Sequence, residues 1–288
     1  MQSNDVLIDV KAIGLCRTDL YAIDQKIETA NPTFVPGHEF SGVISELGCD
    51  VSNLSVGDRV VVNPVLSCQQ CSDCVENNEH LCANTKFMGV DFDGACREQV
   101  AVPGRLVFRV PEALSFRESV FAEPVAATLA VLNADITPEQ KGLILGTGRI
   151  AKLAESVLRA SDFSRIETAN LDQARMLSAN QFDFVVEVNA TTEVLHQMGR
   201  LIRPRGNLIL KSREYRPLEI TIRDLIAKQP KISIVNYGRF TDAIQLLTDG
   251  RVDVKNLIGE TFALSDFDAA FEAARSDESE KIILNPGS

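Results

Sequence analysis

The chain has 288 residues, 45% of them hydrophobic and 24% charged, which is enough for one large domain or two ordinary domains with cores of their own. Its formal net charge of -11 would repel a phosphate backbone, and no cluster of lysine or arginine offsets it, which argues against nucleic acid as a partner. The polar N-terminus does not read as a signal peptide, and no apolar run reaches the roughly 20 residues of a membrane span. We therefore expect a soluble, cytoplasmic protein without membrane attachment, whose seven cysteines favour metal binding or catalysis over disulfides.

The first hundred residues are rich in predicted β-strands. Short apolar runs at 6–13, 41–47, 58–62 and 98–102 are separated by Gly, Pro and Asn turns. This spacing is typical of a compact barrel or a distorted sheet.

From residue 121 onward, predicted strands and helices alternate. Helices are predicted over 122–134, 150–160, 171–178 and 192–202, and strands over 142–146, 166–170, 182–188, 207–211 and 232–235. Such alternation indicates a parallel sheet with helices on its faces. Two further helices at 240–248 and 267–274 and a closing strand at 281–284 follow, with a solvated acidic turn predicted at 276–280.

Four cysteines form a closely spaced group: Cys68, Cys71, Cys74 and Cys82. Four thiolates can surround Zn²⁺ tetrahedrally with no open position, so such a site supports folding and does no chemistry. The loop is polar, which argues against four unligated cysteines. An iron–sulfur cluster is the other alternative, but seven residues precede the fourth cysteine and no proline follows it.

Three separated segments together resemble an open zinc site. Cys16 has polar neighbours, His38 and Glu39 lie in a Gly-rich turn, and Glu123 precedes the first helix of the α/β part. Taken singly, Cys16 reads as a core residue, His38 as a hydrogen-bonded turn residue and Glu123 as a carboxylate facing a helix dipole. Together, a thiolate, an imidazole and a carboxylate, with a water or substrate oxygen, would complete a catalytic zinc shell.

A glycine-rich turn lies between a predicted strand and a predicted helix. Gly146, Gly148 and Ala151 fit the G-x-G-x-x-G/A fingerprint of dinucleotide-binding sheets. The glycines allow a tight turn and a close approach of a pyrophosphate to the helix N-terminus. Because such turns are common, the match gains its weight from the surrounding motifs.

The segments 14–20, 36–43 and 56–60 and the four-cysteine loop occur in the order found in zinc-dependent medium-chain dehydrogenases, which the chain resembles over nearly its whole length. The Glu-Pro pair at Glu123 is similar to the polyol, glucose and threonine dehydrogenase branch. The resemblance implies an α/β protein with a GroES-like, β-rich catalytic domain over 1–122, which contains the structural zinc loop 68–82. A Rossmann-type, doubly wound parallel sheet over 123–236 would bind the cofactor, and a return segment over 237–288 would complete the catalytic domain.

The resemblance also implies a role for each residue of the open zinc site. Cys16 and His38 match zinc ligands, Glu39 matches a ligand or a group beside one, and Glu123 matches a ligand or a neighbour linked through water. Thr18 matches the hydroxyl that passes the alcohol proton toward solvent.

Three nearby residues have implied roles outside the metal shell. Asp19 matches a residue that orients a ligand, and Arg17 matches an arginine that reaches the cofactor pyrophosphate in some relatives. Tyr21 stands where some relatives have a relay histidine, so that step of a proton relay is not implied here.

The chain departs from the family pattern at the cofactor site and at its start. Asn170 aligns with the acidic residue that binds the ribose, so the choice between NAD and NADP stays open. Arg175 could face a 2′-phosphate or form a salt bridge on the helix surface. The chain passes almost directly from the helix after residue 171 to the strand at 182, so we expect a sheet lacking one strand on the adenine side. The first domain also begins later than in relatives.

The leading hypothesis is a zinc-dependent oxidoreductase that transfers a hydride between a small alcohol, polyol, sugar or amino-alcohol and NAD or NADP. The alternative from another class is a non-catalytic, zinc-stabilised relative that has lost or weakened cofactor binding. A zinc-free quinone reductase of the same fold fits poorly, because the ligand set is complete. By analogy, the partners are a small-molecule substrate and further copies of the chain, as a homodimer or homotetramer.

Overall fold

The computed structural model describes residues 1–76, 78–276 and 280–287, so most of the predicted acidic turn at 276–280 lies outside the described residues. The chain forms two compact units. One unit comprises Met1–Glu123 together with Ala243–Ser288, and the other comprises Pro124–Asp242. In the described residues, no helix is long and apolar enough to cross a membrane.

The strands are, in chain order, β1 (Asp5–Gly14), β2 (Glu39–Leu47), β3 (Arg59–Val62), β4 (Val65–Leu66), β5 (Lys86–Phe87), β6 (Gln99–Pro103), β7 (Val107–Arg109), β8 (Gly142–Leu145), β9 (Ile166–Ala169), β10 (Phe182–Glu187), β11 (Ile202–Leu210), β12 (Lys231–Ile234), β13 (Ile258–Ala263) and β14 (Lys281–Asn285).

The α-helices are α1 (Arg17–Ile23), α2 (Ser72–Val75), α3 (Phe116–Ser119), α4 (Ala122–Leu129), α5 (Arg149–Ala160), α6 (Leu171–Met176), α7 (Thr192–Leu201), α8 (Ile222–Ile226), α9 (Phe240–Thr248) and α10 (Phe267–Ser276).

Strand β1 is the centre of the first unit's sheet, whose order in the described residues is β13-β14-β1-β2-β3-β7, with β6 also paired to β1. Its sequence alternates, so Val6, Ile8 and Val10 point into the core while their neighbours do not. At the end of β1, Gly14 pairs with Glu39 of β2 on one side and with Ile283 of β14 on the other. This register brings the start of β2 and the middle of β14 to either side of Gly14, two residues before Cys16.

The second unit contains a parallel sheet of order β12-β11-β10-β8-β9 in its described residues. Two hydrophobic clusters flank it, one around Leu158 and Phe184 and the other around Leu143 and Leu201. Helices α5, α6 and α7 follow β8, β9 and β10, so the sheet is doubly wound, as predicted.

This sheet ends at β9, one strand earlier than a six-stranded dinucleotide-binding sheet does. The usual order for a six-stranded dinucleotide-binding sheet is 3-2-1-4-5-6, and here β9, β8, β10, β11 and β12 occupy positions 2, 1, 4, 5 and 6. Within the described part of the chain, no strand pairs with the outer side of β9. The predicted absence of a strand on the adenine side is therefore confirmed.

Candidate functional site

The four clustered cysteines converge at one point of the first unit. The Sγ atoms of Cys68, Cys71, Cys74 and Cys82 all lie within 4.8 Å of one another. The Cys68–Cys74 and Cys71–Cys74 sulfur pairs are 3.9 and 3.4 Å apart, close to the separation of about 3.8 Å set by a tetrahedron with Zn–S bonds of about 2.3 Å. The thiols therefore fit a tetrahedral zinc ion.

Backbone N–H groups donate to the sulfurs of Cys68 and Cys82, whereas the neighbouring thiols raise the pKa of Cys71 to about 12. The N–H groups of Cys68 and Asn84 both donate to Cys82 Sγ at 3.4 Å. Hydrogen bonds from the backbone of Gln70 and Cys71 lower the pKa of the Cys68 thiol to about 6. All seven cysteines of the chain are free thiols. The loop therefore supplies soft, charged ligands without a disulfide competing for them.

A second group of side chains that could hold a metal ion lies where β1, β2 and α1 meet. Cys16 forms the N-cap of α1, while His38 and Glu39 stand at the start of β2. One ligand atom from each of the three lies within 4.8 Å of the others. His38 and Glu39 are 1% and 2% exposed, and Cys16 is half-buried. The structure thus brings together three of the four residues predicted for the open zinc site.

Asp19 contacts Cys16, Gly37 and His38 and so holds this group in position. Its Oδ2 accepts the backbone N–H of Cys16 at 2.9 Å, and its Oδ1 accepts the N–H of Gly37 at 3.0 Å. The same Oδ1 lies 3.1 Å from His38 Nδ1. A proton on Nδ1 leaves Nε2 with its lone pair, and Nε2 is buried with no hydrogen-bond partner in the described residues. A zinc ion held with Cys16 would satisfy it.

Charge and burial together shift the pKa values of Asp19, His38 and Glu39. Burial alone would raise the pKa of Asp19, but His38 and the N–H donors of Cys16 and Gly37 bring that pKa below its ordinary value. Burial alone would lower the pKa of His38, but Asp19 and Cys16 raise it well above its ordinary value in the metal-free chain. Burial raises the pKa of Glu39. Asp19 is thus held as a carboxylate beside His38, in a cluster whose Cys16, His38 and Glu39 could offer ligand atoms to a divalent cation.

Lys281, the first residue of β14, is a member of this cluster that sequence analysis missed. Its Nζ donates to Glu39 Oε2 and lies 3.4 Å from the carbonyl oxygen of Leu15. Lys281 is 1% exposed. Its positive charge lies against the carboxylate of Glu39. The signal in the sequence was a single lysine before an apolar strand.

Glu123 and Thr18 lie near the three-residue group without belonging to it. Glu123 is buried in the first turn of α4, and its charge raises the pKa of Glu39. Thr18 is buried in the first turn of α1, with Oγ1 at 3.8 Å from Cys16 Sγ. Arg17 is exposed at the start of the same helix. The roles that the resemblance implied for these three residues remain predictions.

The glycine-rich turn of the second unit joins β8 to α5. Gly146 has φ +139°, and a Cβ there would lie 2.5 Å from Val188 Cγ2, so only glycine fits. Gly148 is the N-cap of α5 and supplies no capping side chain, while Ala151 is buried in the first turn. The N–H groups at this helix N-terminus are thus open to an anion such as a pyrophosphate.

Asn170 and Arg175 lie at the end of β9 and on α6. Asn170 Oδ1 caps α6 by accepting the N–H of Gln173 at 2.8 Å. Arg175 pairs with Asp172 at 2.8 Å and with Glu193 at 3.4 Å. The arginine is thus engaged in the surface salt bridges that were the alternative to a role in binding a 2′-phosphate.

The chain is similar to known dehydrogenases in sequence and in fold. Residues 2–112 match the family described as the alcohol dehydrogenase GroES-like domain. The chain is 28% identical to L-idonate 5-dehydrogenase of Vitis vinifera over 98% of this chain and 88% of that protein. It is 27% identical to L-threonine 3-dehydrogenase of Bacillus velezensis over 99% of this chain and 92% of that protein. A zinc-binding dehydrogenase of Sinorhizobium meliloti, solved with NADP, has the same fold, with a TM-score of 0.91 at 22% identity over 99% of this chain and 93% of that one.

The alignment with the Vitis vinifera protein spans 324 positions, although this chain has only 288 residues. Gaps in this chain must fill the difference, which agrees with a shortened sheet. The family match, the two groups of metal-binding side chains and the doubly wound sheet confirm the resemblance drawn from the sequence motifs. The family match and the relatives together support a member of the zinc-dependent medium-chain dehydrogenase family.

Proposed function

We propose that this chain is a zinc-dependent oxidoreductase that transfers a hydride between a small alcohol, polyol, sugar or amino-alcohol and NAD or NADP. The observation that carries the proposal is the buried Nε2 of His38, which has no hydrogen-bond partner in the part of the chain that the structure describes, on a residue that is grouped with the thiol of Cys16 and the carboxylate of Glu39. This donor set suits zinc. The relatives named L-idonate and L-threonine dehydrogenases support alcohol oxidation.

Each residue around the metal would have a separate role. Bound Zn²⁺ would act as a Lewis acid that makes the alkoxide form of the alcohol accessible near neutral pH. Cys16, His38 and Glu39 would hold the ion, and Glu123 would be a further ligand or a neighbour linked through water. Thr18, buried beside Cys16, would pass the alcohol proton toward solvent.

The second unit would hold the cofactor. Gly146 and Gly148 leave the N-terminus of α5 open to the pyrophosphate, and Ala151 allows close packing of α5 on the sheet. Asn170 would lie near the adenine ribose. A bound cofactor would accept a hydride from the alcohol carbon, and the hydroxyl proton would go to solvent, so electrons and protons would balance.

A non-catalytic relative is the second candidate, because two observations favour weakened cofactor binding. The sheet has no described strand beyond β9, which removes part of the cover over the adenine side. Asn170 stands where relatives have an acidic residue, and its side chain is committed to capping α6. Such a chain would keep its zinc-stabilised fold without turnover.

Cofactor titration of the zinc-loaded protein separates the two candidates. NADH and NADPH are added separately while their fluorescence is followed, and a panel of polyols, sugars and 1,2-amino-alcohols is then assayed for reduction of NAD and NADP. Micromolar binding, with turnover that is lost in Cys16→Ser, supports the dehydrogenase. A protein that carries two zinc ions per chain but binds neither cofactor supports the non-catalytic relative.

We further propose that the chain forms a homodimer through β12, with a homotetramer as the larger alternative. Strand β12 lies at the sheet edge, and large apolar side chains are exposed on it and on α8, including Ile226, Ile232 and Ile234. Light scattering after size exclusion should report a dimer, and Ile234→Lys should reduce it to a monomer; a monomeric wild type would contradict the proposal.

Free thiols and thiolate metal sites favour a cytoplasmic location, and the acidic surface argues against nucleic acid.

A further inference from the structure

Glu187 is a carboxyl group buried at the end of β10, in the middle of the parallel sheet. Its side chain is 0% exposed. The register pairs it with Leu145, the last residue of β8, and with Leu210, the last residue of β11. Because β9 lies on one side of β8 and β10 on the other, Glu187 sits where the strand order reverses. Open parallel sheets bind their ligands at this point.

One oxygen of Glu187 holds the start of the loop that follows β11. Oε1 accepts the backbone N–H of Lys211 at 2.8 Å and that of Ser212 at 2.9 Å. Ser212 Oγ in turn accepts the N–H of Ala190 at 3.1 Å, in the loop after β10. A single carboxyl group thus fixes the backbone of two neighbouring loops at the carboxyl edge of the sheet.

The other oxygen of Glu187, Oε2, lowers the stability of the fold. Oε2 is buried and has no hydrogen-bond partner among residues 1–76, 78–276 and 280–287. Burial raises the pKa of Glu187, whereas the N–H donors of Ser212 and Lys211 oppose that rise. An incompletely satisfied carboxyl group inside a sheet is kept at a loss of stability, which is typical of residues that shape a binding site.

We propose that Glu187 is a positioning residue for the nicotinamide half of the cofactor, an inference that rests on the proposed function. Asn170, at the end of β9, marks the adenine side, and the N-terminus of α5 behind Gly146 marks the pyrophosphate. The remaining half of a dinucleotide then extends over the ends of β10 and β11. The backbone that it meets there is that of Lys211 and Ser212, which Glu187 holds in place.

The test compares a whole dinucleotide with its adenine half on the full-length, zinc-loaded protein. NADH is paired with ADP, or NADPH with 2′,5′-ADP if the wild type prefers NADPH. Glu187→Leu should weaken dinucleotide binding about tenfold or more and leave binding of the adenine half within about twofold. Glu187→Gln keeps an acceptor oxygen for both N–H groups, so it should restore dinucleotide binding to within about threefold of wild type.

Two further variants separate positioning from general loss of structure. Asp183→Asn alters a carboxylate at the amino end of the same strand, which accepts the N–H of Lys141 at 2.6 Å and pairs with Arg203. This control should leave the ratio of the two affinities unchanged. Ser212→Ala leaves the carboxyl group in place and should give a smaller loss with the same selectivity, which keeps the proposal testable if Glu187→Leu does not fold.

The possible results distinguish failure of the role of Glu187 from failure of the proposed function. Equal weakening of both ligands by Glu187→Leu, no weakening at all, or a glutamine variant as impaired as the leucine variant would overturn the role of Glu187 and leave the proposed function standing. A wild type that binds neither NADH nor NADPH would overturn the proposed function and this inference together. Selective loss of the dinucleotide, rescued by glutamine, supports the assignment.

Discussion

Lys281→Met tests whether the C-terminal strand completes the second metal-binding group. Lys281 and Glu39 are 1% and 2% exposed, and their side chains form an ion pair. Methionine keeps the length of the side chain and removes its charge, which leaves a buried carboxylate uncompensated. Breaking a buried ion pair in this way costs about 3–5 kcal/mol. We expect a loss of that size in the stability of the first unit when the neighbouring site holds no metal.

Zinc should reduce this loss, because a divalent cation beside Glu39 replaces the missing positive charge. The comparison is therefore made in zinc-saturated buffer in two backgrounds, wild type and Cys16→Ser, so that only the second site is altered. Hydrogen exchange of peptides from β1, β2 and β14 reports the free energy of opening of this sheet. The loss caused by Lys281→Met should be smaller in the wild-type background.

A double-mutant cycle with Glu39→Gln isolates the pair itself. Glutamine removes the charge that Lys281→Met leaves behind, so the two changes should not add, with a coupling of about 0.5–3 kcal/mol. A loss below about 1 kcal/mol in the Cys16→Ser background, or full additivity of the two substitutions, would refute the reasoning that this ion pair is buried and coupled to the metal site.

Three further results are expected. Gly14→Ala should destabilise the first unit by about 1–3 kcal/mol in urea unfolding, because a Cβ there would lie 2.5 Å from Val120 Cγ1; an unchanged midpoint would contradict the close packing. Arg275 donates two hydrogen bonds to Asp24 and lowers the pKa of that carboxyl group. The stabilisation is therefore complete above the ordinary pKa of aspartate and is lost progressively as pH falls through the lowered pKa, so Arg275→Met should lower the melting temperature more at pH 7 than at pH 2, and an equal effect at both would contradict it. Cys71→Ser should destabilise the first unit by several kcal/mol through loss of the enclosed zinc, and a melting temperature unchanged from wild type would contradict the structural role.

Local patterns in the sequence were enough to predict the convergence of the four cysteines and the shortened sheet. Cys68 and Cys82 belong to one loop, so their spacing alone limits the geometry. The short interval between α6 and β10 leaves no room for another helix and strand, and the sheet order agrees. In both cases the deciding information lies within one short stretch of consecutive residues.

Contacts between distant segments were not predictable in the same way. Lys281 and Glu39 are 242 positions apart, and the sequence around Lys281 indicates only a short strand. Strand β13 was missed because Ile258–Ala263 is only partly buried and lacks a strong apolar pattern. Glu187 lies in a predicted strand, but its hydrogen bonds to the loop after β11 depend on the register of two strands.

The central claim is that the chain has two zinc sites of different kinds, one enclosed by four thiols and one built on Cys16, His38 and Glu39. The most direct measurement is zinc content per chain by elemental analysis and native mass spectrometry, for wild type and for Cys16→Ser. We predict two zinc ions in the wild type and one in the variant, with the fold of the variant retained by circular dichroism. One zinc ion in both proteins would contradict the claim.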